Sequence, residues 1–453
     1  MAWNVLILGG GFGGLTAARR LERKLPAHSA NVTLVNDVNF MLYTPLLPGA
    51  AAGTLEPRHV VVPLREQLRR THLLIGDVLG ADPERRVVRV RSMGGDEQEL
   101  PYDQLIVALG STSRSLPIPG LAEHAVGFKT LSEAIALRNR LLQTLERAEQ
   151  EDDPEVRREL LSYVFVGGGY AGLEALAELQ DFAADVLERY PRAALDGVRF
   201  VLVEAKDRVM TEISPDLAAF ASAELRKRGI EIRTGTQVRS ITERSVELDD
   251  GDVVPTRTVV WTAGVKPVPA VAELGLPLGA GGRIEADRYT AVPGHPGVWS
   301  IGDAGAVPDP ARKGQAASPP TAQHVVRQAK VAADNVVYAL AGEPHRKRPF
   351  RYRTLGVFVD MGRHQAVAST LGIRWRGFPA WFLARTYHLA LMPGSRRRVR
   401  LVTDWTTGLL FGRDSAELGQ LGHPPALEEQ TAGGSPAGAG DSDRPPAPVP
   451  AQP

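Results

Sequence analysis

The chain has 453 residues, 43% of them hydrophobic, which is enough for two or three packed domains. Lys plus Arg (53) nearly balances Asp plus Glu (52), which argues against a general nucleic-acid binder. Cysteine is absent, so disulfide frameworks, thiolate metal sites, iron–sulfur clusters and redox dithiols are excluded from this chain's chemistry, and no metal site is expected.

The opening Met-Ala-Trp-Asn runs straight into Val5-Leu6-Ile7-Leu8, without the basic region and cleavage site of a signal peptide. No uninterrupted apolar stretch reaches the roughly 20 residues needed to span a bilayer. The expected location is cytoplasmic, with attachment to a membrane surface left open. The first element predicted is a strand over Asn4–Leu8. A glycine turn, a helix from about Gly13 to Lys24 and a strand over Asn31–Val35 follow, making a βαβ unit. Leu105–Gly110 is an apolar strand ending in small residues. A second βαβ unit begins at Tyr163–Val166, continues through Gly167-Gly168-Gly169 and a helix to Leu187, and closes with strand Val198–Val203. Thr258–Gly264 repeats the small-residue ending, and Ala108, Gly110, Ala263 and Gly264 are candidate cofactor contacts at these strand ends. Val298–Asp303 is a short strand ending at an acid, and Thr321–Ala341 has helical periodicity. Short strands over Thr354–Val359 and Gln365–Thr370, an aromatic-rich segment and a basic cluster come next. From about His423 the chain is rich in Pro, Gly, Ala and Ser, and is expected to be a disordered tail.

The recurrence predicts an α/β protein of two Rossmann-like dinucleotide-binding domains, the second inserted in the first. The boundaries are 1–115 and 285–350 for the FAD domain, 155–284 for the NAD(H) domain, 351–420 for a C-terminal region and 423–453 for the tail. In the first motif, Gly9, Gly11 and Gly14 form G-x-G-x-x-G, with Phe12 and Gly13 between them. Such a turn admits positive φ, lets the backbone approach a pyrophosphate, and seats it on a helix N-terminus. The acid expected at the end of the second strand is replaced by Asn36, with Asp37 next. Either Asn36 takes the hydrogen-bonding role or Asp37 reaches in. The second motif aligns Gly167, Gly169 and Gly172, with Tyr170 and Ala171 between, and its second strand ends in Glu204. A carboxylate there accepts from both ribose hydroxyls and repels a 2′-phosphate, which favours NADH over NADPH. Two dinucleotides in one chain imply hydride transfer from NADH to FAD, which can then release one or two electrons.

Over residues 4–415 the chain resembles the two-dinucleotide flavoprotein reductases, and specifically the type II NADH dehydrogenases (NADH:quinone oxidoreductases). Asn39–Leu47, with Thr44, Pro45 and Leu46, is similar to that family's flavin-contacting segment. Gly302-Asp303-Ala304 matches its late Gly-Asp motif, whose acid binds FAD; in isolation that pair reads as a turn with an Asx hydrogen bond. Ala322–Gln328 resembles a segment beside the flavin and the quinone, which implies that Gln323 polarises a quinone carbonyl. Both Gln323 and Gln328 also read as ordinary helix-surface residues.

Glu174 sits where an acid meets a helix dipole, worth about 0.3–1 kcal/mol. The resemblance implies that it orients or gates NADH rather than transferring a proton. Gly377–Trp381, with His388-Leu389 after it and Trp405 later, looks like the family's membrane-associating region, and Phe378–Leu391, carrying Trp381, Phe382, Tyr387, Leu389 and Leu391 ahead of Arg396, Arg397, Arg398 and Arg400, fits a helix lying on an anionic lipid surface. Packing on the protein or at a dimer interface is the competing reading. The resemblance thus implies NADH oxidation with two electrons passed to a membrane quinone and no proton pumping. The protein would be peripheral, on the cytoplasmic side of the membrane, with a homodimer as one option. The alternatives are a soluble NAD(P)H-dependent reductase of a small electron carrier, or a regulatory protein that binds NADH and flavin.

Overall fold

The computed structural model describes residues 2–309, 317–354 and 356–417, so the expected tail over 423–453 lies outside the described residues. Trp3–Leu8, Ala30–Asn36, His72–Asp82, Val87–Ser92, Glu97–Pro101, Gln104–Val107 and Val298–Ser300 form one seven-stranded sheet. The five strands around Trp3–Leu8 run parallel, and Val87–Ser92 and Glu97–Pro101 extend the edge as an antiparallel hairpin. The interior strands read as near-continuous apolar runs because both faces are covered. Val5 and Ile7 face the helices Phe12–Lys24 and Ala322–Leu340, while Leu6 and Leu8 face Val271, Leu274 and Ile284.

A second parallel sheet orders Ala125–Gly127, Thr258–Trp261, Ser162–Val166, Arg199–Glu204 and Glu231–Thr234. Tyr163, Phe165, Phe200 and Leu202 bury against helices Leu131–Gln150, Tyr170–Leu187 and Pro215–Lys227. Val164, Val166, Val201 and Val203 bury against a small antiparallel sheet built from Val238 to Pro255. The second unit is inserted in the first: Gln104–Val107 and Val298–Ser300 are paired neighbours although the whole second sheet lies between them in sequence. The chain crosses between units through Ser111–Ser113 and Val265–Pro267, which pair antiparallel.

That ribbon moves the expected boundaries. Residues 268–284 pack on the first sheet through Val271, Leu274, Leu276 and Ile284, not on the second as the 155–284 division has it. Ala125–Gly127 and Leu131–Gln150 join the second unit although they precede residue 155. Buried apolar contacts, not sequence distance from the glycine motif, decide the allegiance of these segments. The C-terminal region adds a three-stranded antiparallel sheet, Gly356–Asp360, Ala366–Thr370 and Ile373–Gly377, then helices Phe378–Leu391 and Ser395–Phe411. The last helix is unforeseen: four arginines in its first turns mask an apolar face. No helix among the described residues is long and apolar enough to cross a membrane.

Candidate active site

Both glycine turns sit where strand order reverses. From Trp3–Leu8 the chain goes to Ala30–Asn36 on one side and later to Gln104–Val107 on the other; Ser162–Val166 is flanked likewise by Arg199–Glu204 and Thr258–Trp261. Such switch points open a crevice at the carboxyl ends of the strands, which is where dinucleotides bind. The two turns have the same internal geometry. Gly9 has φ +96° and Gly167 φ +109°, a region that disfavours any side chain. A Cβ on Gly14 would stand 1.7 Å from the Gly9 carbonyl oxygen, and one on Gly172 would stand 2.1 Å from that of Gly167. By contrast, a Cβ on Gly11 or on Gly169 would meet nothing within 4 Å. The first and third glycines therefore serve packing, and the second leaves the backbone bare toward the crevice, as a pyrophosphate requires.

Asn36 is engaged within the turn by its own hydrogen bonds. Its Oδ1 accepts the Gly10 N–H at 2.6 Å and its Nδ2 donates to the Val38 carbonyl at 2.8 Å, while among the described residues Asp37 accepts from the neighbouring Val38 N–H. In the second turn Glu204 accepts the equivalent Gly168 N–H at 2.6 Å. Gly264 (φ +93°) and Ala263 end the strand beside Gly167, and Gly110 (φ +75°) follows Ala108 beside Gly9.

The first crevice is closed by the Ala322–Leu340 helix. Val325 lies under Gly13 and Gly302, where added Cβ atoms would come within 2.8 and 2.6 Å of its Cγ2. Gln328, buried to 1% exposure, accepts the Gly302 N–H at 2.8 Å, and Arg283 donates to the Gly302 carbonyl at 3.0 Å. Gln328 is therefore structural rather than a surface residue, and it orients the turn that presents Asp303. The Asp303 carboxylate accepts from Ser111, and Lys129 reaches the same Ser111 hydroxyl at 2.6 Å and stands 3.6 Å from the carboxylate. A bare glycine turn, open strand ends and a presented carboxylate suit FAD in the first crevice. The second turn with Glu204 suits NADH.

A third feature lies between the units. Pro45, Leu46, Gly49 and Thr54 form one wall of a pocket, Glu174 and Glu178 a second, and Phe358, Asp360, Arg385, His388 and Trp405 the rest. Thr44-Pro45-Leu46 is a 3-10 turn, so the expected flavin segment reaches this pocket directly. Phe12, Tyr43 and His388 continue from the first glycine turn to the pocket as ring contacts of 5.3 and 6.0 Å. Burial pushes the His388 imidazole down to about 4, leaving it neutral. Arg385 is held over Trp381 at 4.5 Å and Trp405 at 4.9 Å, a cation between two aromatic faces.

Glu174 lies past the first turn of its helix, which carries no acid, so the dipole account of this residue does not hold. It sits in the pocket wall, enclosed by protein on most sides, and burial pushes its carboxyl up to about 8. Gln323 is placed elsewhere: its Oε1 accepts from Tyr352 at 2.6 Å and its Nε2 donates to the Gly356 carbonyl at 2.9 Å, and it is absent from the pocket wall. Asp360 and Arg385 are pocket residues that no sequence motif marks. Asp360 falls one position beyond the expected end of its strand, and Arg385 is the single basic residue of an aromatic stretch. In that stretch Tyr387 stacks on Phe358 at 4.8 Å, and Trp381 and Leu389 pack on neighbouring cores. Phe382 and Leu391 remain exposed.

The profile of the pyridine nucleotide-disulphide oxidoreductase family matches residues 3–339. The chain is 31% identical to a type II NADH:quinone oxidoreductase of Mycobacterium tuberculosis, over 92% of this chain and 89% of the relative. It is 30% identical to a probable NADH dehydrogenase of Dictyostelium discoideum, over 91% and 90%. The chain belongs to this family, among its type II NADH dehydrogenases. The fold agrees: the structure of NDH2 from Plasmodium falciparum in complex with NADH superposes with a TM-score of 0.85 at 18% identity, covering 92% of this chain and all of that one. The family is named for a redox disulphide, yet this flavoprotein has no cysteine, so its electrons leave by another route.

Proposed function

We infer that this flavoprotein oxidises NADH and passes two electrons through FAD to a quinone, without proton pumping. The observation that carries the reading is the pocket between the units. It joins the Thr44–Leu46 flavin segment to an aromatic wall and to buried ionisable groups, in a chain that has no cysteine to receive electrons. Bound FAD would supply hydride acceptance and electron release. The chain's own work is positional. Gly167, Gly169 and Gly172 seat the NADH pyrophosphate, with Tyr170 and Ala171 opening the helix beneath it, and Glu204 engages its ribose. Gly9, Gly11 and Gly14 hold FAD, Asp303 with Ser111 and Lys129 engages its polar chain, and Pro45 and Leu46 exclude water beside the pocket. The gating role expected of Glu174 fits its position between the second glycine turn and the pocket. For Gln323, whose amide is already engaged by Tyr352 and Gly356, the reading is that it fixes the strand bearing Asp360 rather than contacting a quinone.

The surface reading is a peripheral one. Phe378, Phe382, Leu391, Leu409, Leu410 and Phe411 are exposed, with Arg396, Arg398 and Arg400 beside them, which suits an anionic lipid surface on the cytoplasmic side. A second copy of the chain is the competing occupant. Vesicle co-sedimentation that rises with anionic lipid content supports the lipid reading, and a lipid-independent dimer contradicts it. For the activity, flavin-loaded protein is mixed with NADH and a water-soluble quinone. NADH consumption matched by quinol formation is expected. Flavin reduction without quinone turnover, together with rapid reduction of a small iron–sulfur carrier, would overturn the reading.

A further inference from the structure

Helix Tyr170–Leu187 carries its acids in two different settings. Toward its C-terminal half, Glu178, Asp181 and Asp185 are met by cations: Arg413 lies 3.7, 2.6 and 3.5 Å from them, and Arg363 lies 2.7 Å from Asp181. Glu174, one turn before Glu178, has no ion pair among the described residues. Its hydrogen bond comes instead from the backbone N–H of Asp360, at 3.0 Å, which brings a second carboxyl to the same pocket wall. Asp360 has no ion pair within 4 Å among the described residues either, and its Oδ1 accepts the Gly362 N–H at 3.0 Å. Glu174 and Asp360 thus line one pocket wall, neither paired with a cation among the described residues, and the charge of Asp360 adds to desolvation in opposing ionisation of Glu174 near neutral pH.

We propose that Asp360 is the proton-holding partner of Glu174: the two carboxyls keep a proton between them at the pocket and deliver it to a quinone oxygen. The proposal rests on the quinone-reductase reading, adds to it the source of a proton, and departs from the expectation that Glu174 only orients or gates NADH. Oxidation of NADH by a quinone consumes one proton from solvent; the hydride accounts for the other hydrogen of the quinol. The carboxyl pair supplies the solvent-derived one. An O–H bond of the pair breaks as an O–H bond forms on the quinol, and water at the pocket mouth reprotonates the pair. The electrons come from NADH, so no other reductant is needed.

The groups facing the pair agree with this role. From its own helix Glu178 adds negative charge, which Arg413 of the C-terminal segment partly offsets. From helix Phe378–Leu391, Arg385 pulls toward ionisation from its place between Trp381 and Trp405, close enough to steady the charge left after proton release. His388, on the same helix, is neutral and adds none, and Tyr43 approaches it at 3.4 Å as a hydrogen-bonding hydroxyl. Burial raises both carboxyls, Glu174 to about 8, and the Glu178 charge adds to the rise at Asp360.

The test uses the full, flavin-loaded chain and the variants Asp360→Asn, Asp360→Glu and Glu174→Gln, with two readouts. The first is the infrared C=O stretch of protonated carboxyls, titrated with no substrate present. In the wild type a buried acid band persists to neutral pH, and in Asp360→Asn its midpoint falls by about one pH unit or more because the like charge is gone. The second is the split between half-reactions. Bleaching of the flavin by NADH proceeds at the wild-type rate in Asp360→Asn, reoxidation by a soluble quinone slows at least about tenfold, and Asp360→Glu restores it. An unchanged band midpoint, or equal slowing of both half-reactions, overturns the proposal. If Asp360→Asn fails to hold flavin, the wild-type titration decides alone: no protonated carboxyl above about pH 6 overturns it. A wild type with the expected titration but no quinone turnover would sink the quinone reading and leave the proton-sharing pair standing.

Discussion

In the first glycine turn the N–H of Gly10 finds the carboxamide of Asn36. In the second the N–H of Gly168 finds the carboxylate of Glu204, at the same 2.6 Å. The backbones are alike down to the positive φ of the first glycine and the collision that bars a side chain at the third. What differs is charge and enclosure. The first turn packs on Val325, which also meets Gly302, itself held by the buried Gln328, a setting suited to a cofactor that stays. Among the described residues the second has no such lid helix pressed on its glycines, and it ends in a carboxylate, a setting suited to a substrate that comes and goes and must be told from its phosphorylated analogue. One turn geometry thus serves two tasks, and the residues around it assign them.

The sharpest way to break the comparison is to fill each turn in the same manner. Gly14→Ala places a methyl 1.7 Å from the Gly9 carbonyl oxygen, and the purified protein should be colourless and thermally weakened. Gly172→Ala makes the matching clash at 2.1 Å, yet this variant should stay yellow while flavin reduction by NADH falls by about 100-fold or more. If both variants lose flavin equally, the two turns do not hold separate dinucleotides.

The pocket between the turns offers a pH handle on stability. Glu174 ordinarily titrates near 4.5 and is raised to about 8 in the fold. The folded chain therefore keeps a proton that the unfolded chain releases above about pH 4.5. That stabilisation is whole below this value and is lost as pH rises through about 8. Between about pH 5 and 9 the wild-type Tm should fall, and Glu174→Gln should flatten the fall by the equivalent of a few kcal/mol; parallel curves would show that Glu174 ionises normally.

A smaller effect sharpens the charge difference. Glu204→Gln keeps an acceptor for Gly168 but removes the repulsion of a 2′-phosphate, so the NADH-to-NADPH ratio of kcat/KM should fall by about tenfold, some 1.4 kcal/mol. An unchanged ratio would place selectivity elsewhere, with Lys206 and Arg208 the nearest cations in sequence. The smallest change is Asn36→Asp. It keeps the bond to Gly10 but sets an anion where Nδ2 donates to the Val38 carbonyl, at a cost of about 1 kcal/mol in thermal stability with flavin retained.

Much of this was legible in the sequence because it is local. A glycine turn between an apolar strand and a helix carries its geometry within about 30 residues, and the interior strands announce themselves by being apolar on both faces. Nested insertion was legible too, because the motif recurs before the first unit is complete. Its edges were not, since Val271 and Ile284 reveal their allegiance only through contact with Leu6 and Leu8. The pocket was the least visible part. Asp360 meets Glu174 across 186 residues of chain, and a lone acid at a strand end gives no sign of such a partner. Gln328 looked like surface because nothing local shows that Gly302 would come to rest on it, and helix Ser395–Phe411 was hidden by its arginines.

The measurement that bears most directly on the division of labour is an anaerobic titration of the purified, yellow protein with NADH, followed at the flavin absorbance and then by addition of a soluble quinone. Complete bleaching at one NADH per flavin and full return of the absorbance with quinone are expected. A flavin that NADH leaves oxidised would contradict that division, because the two turns would then not face each other across a working site.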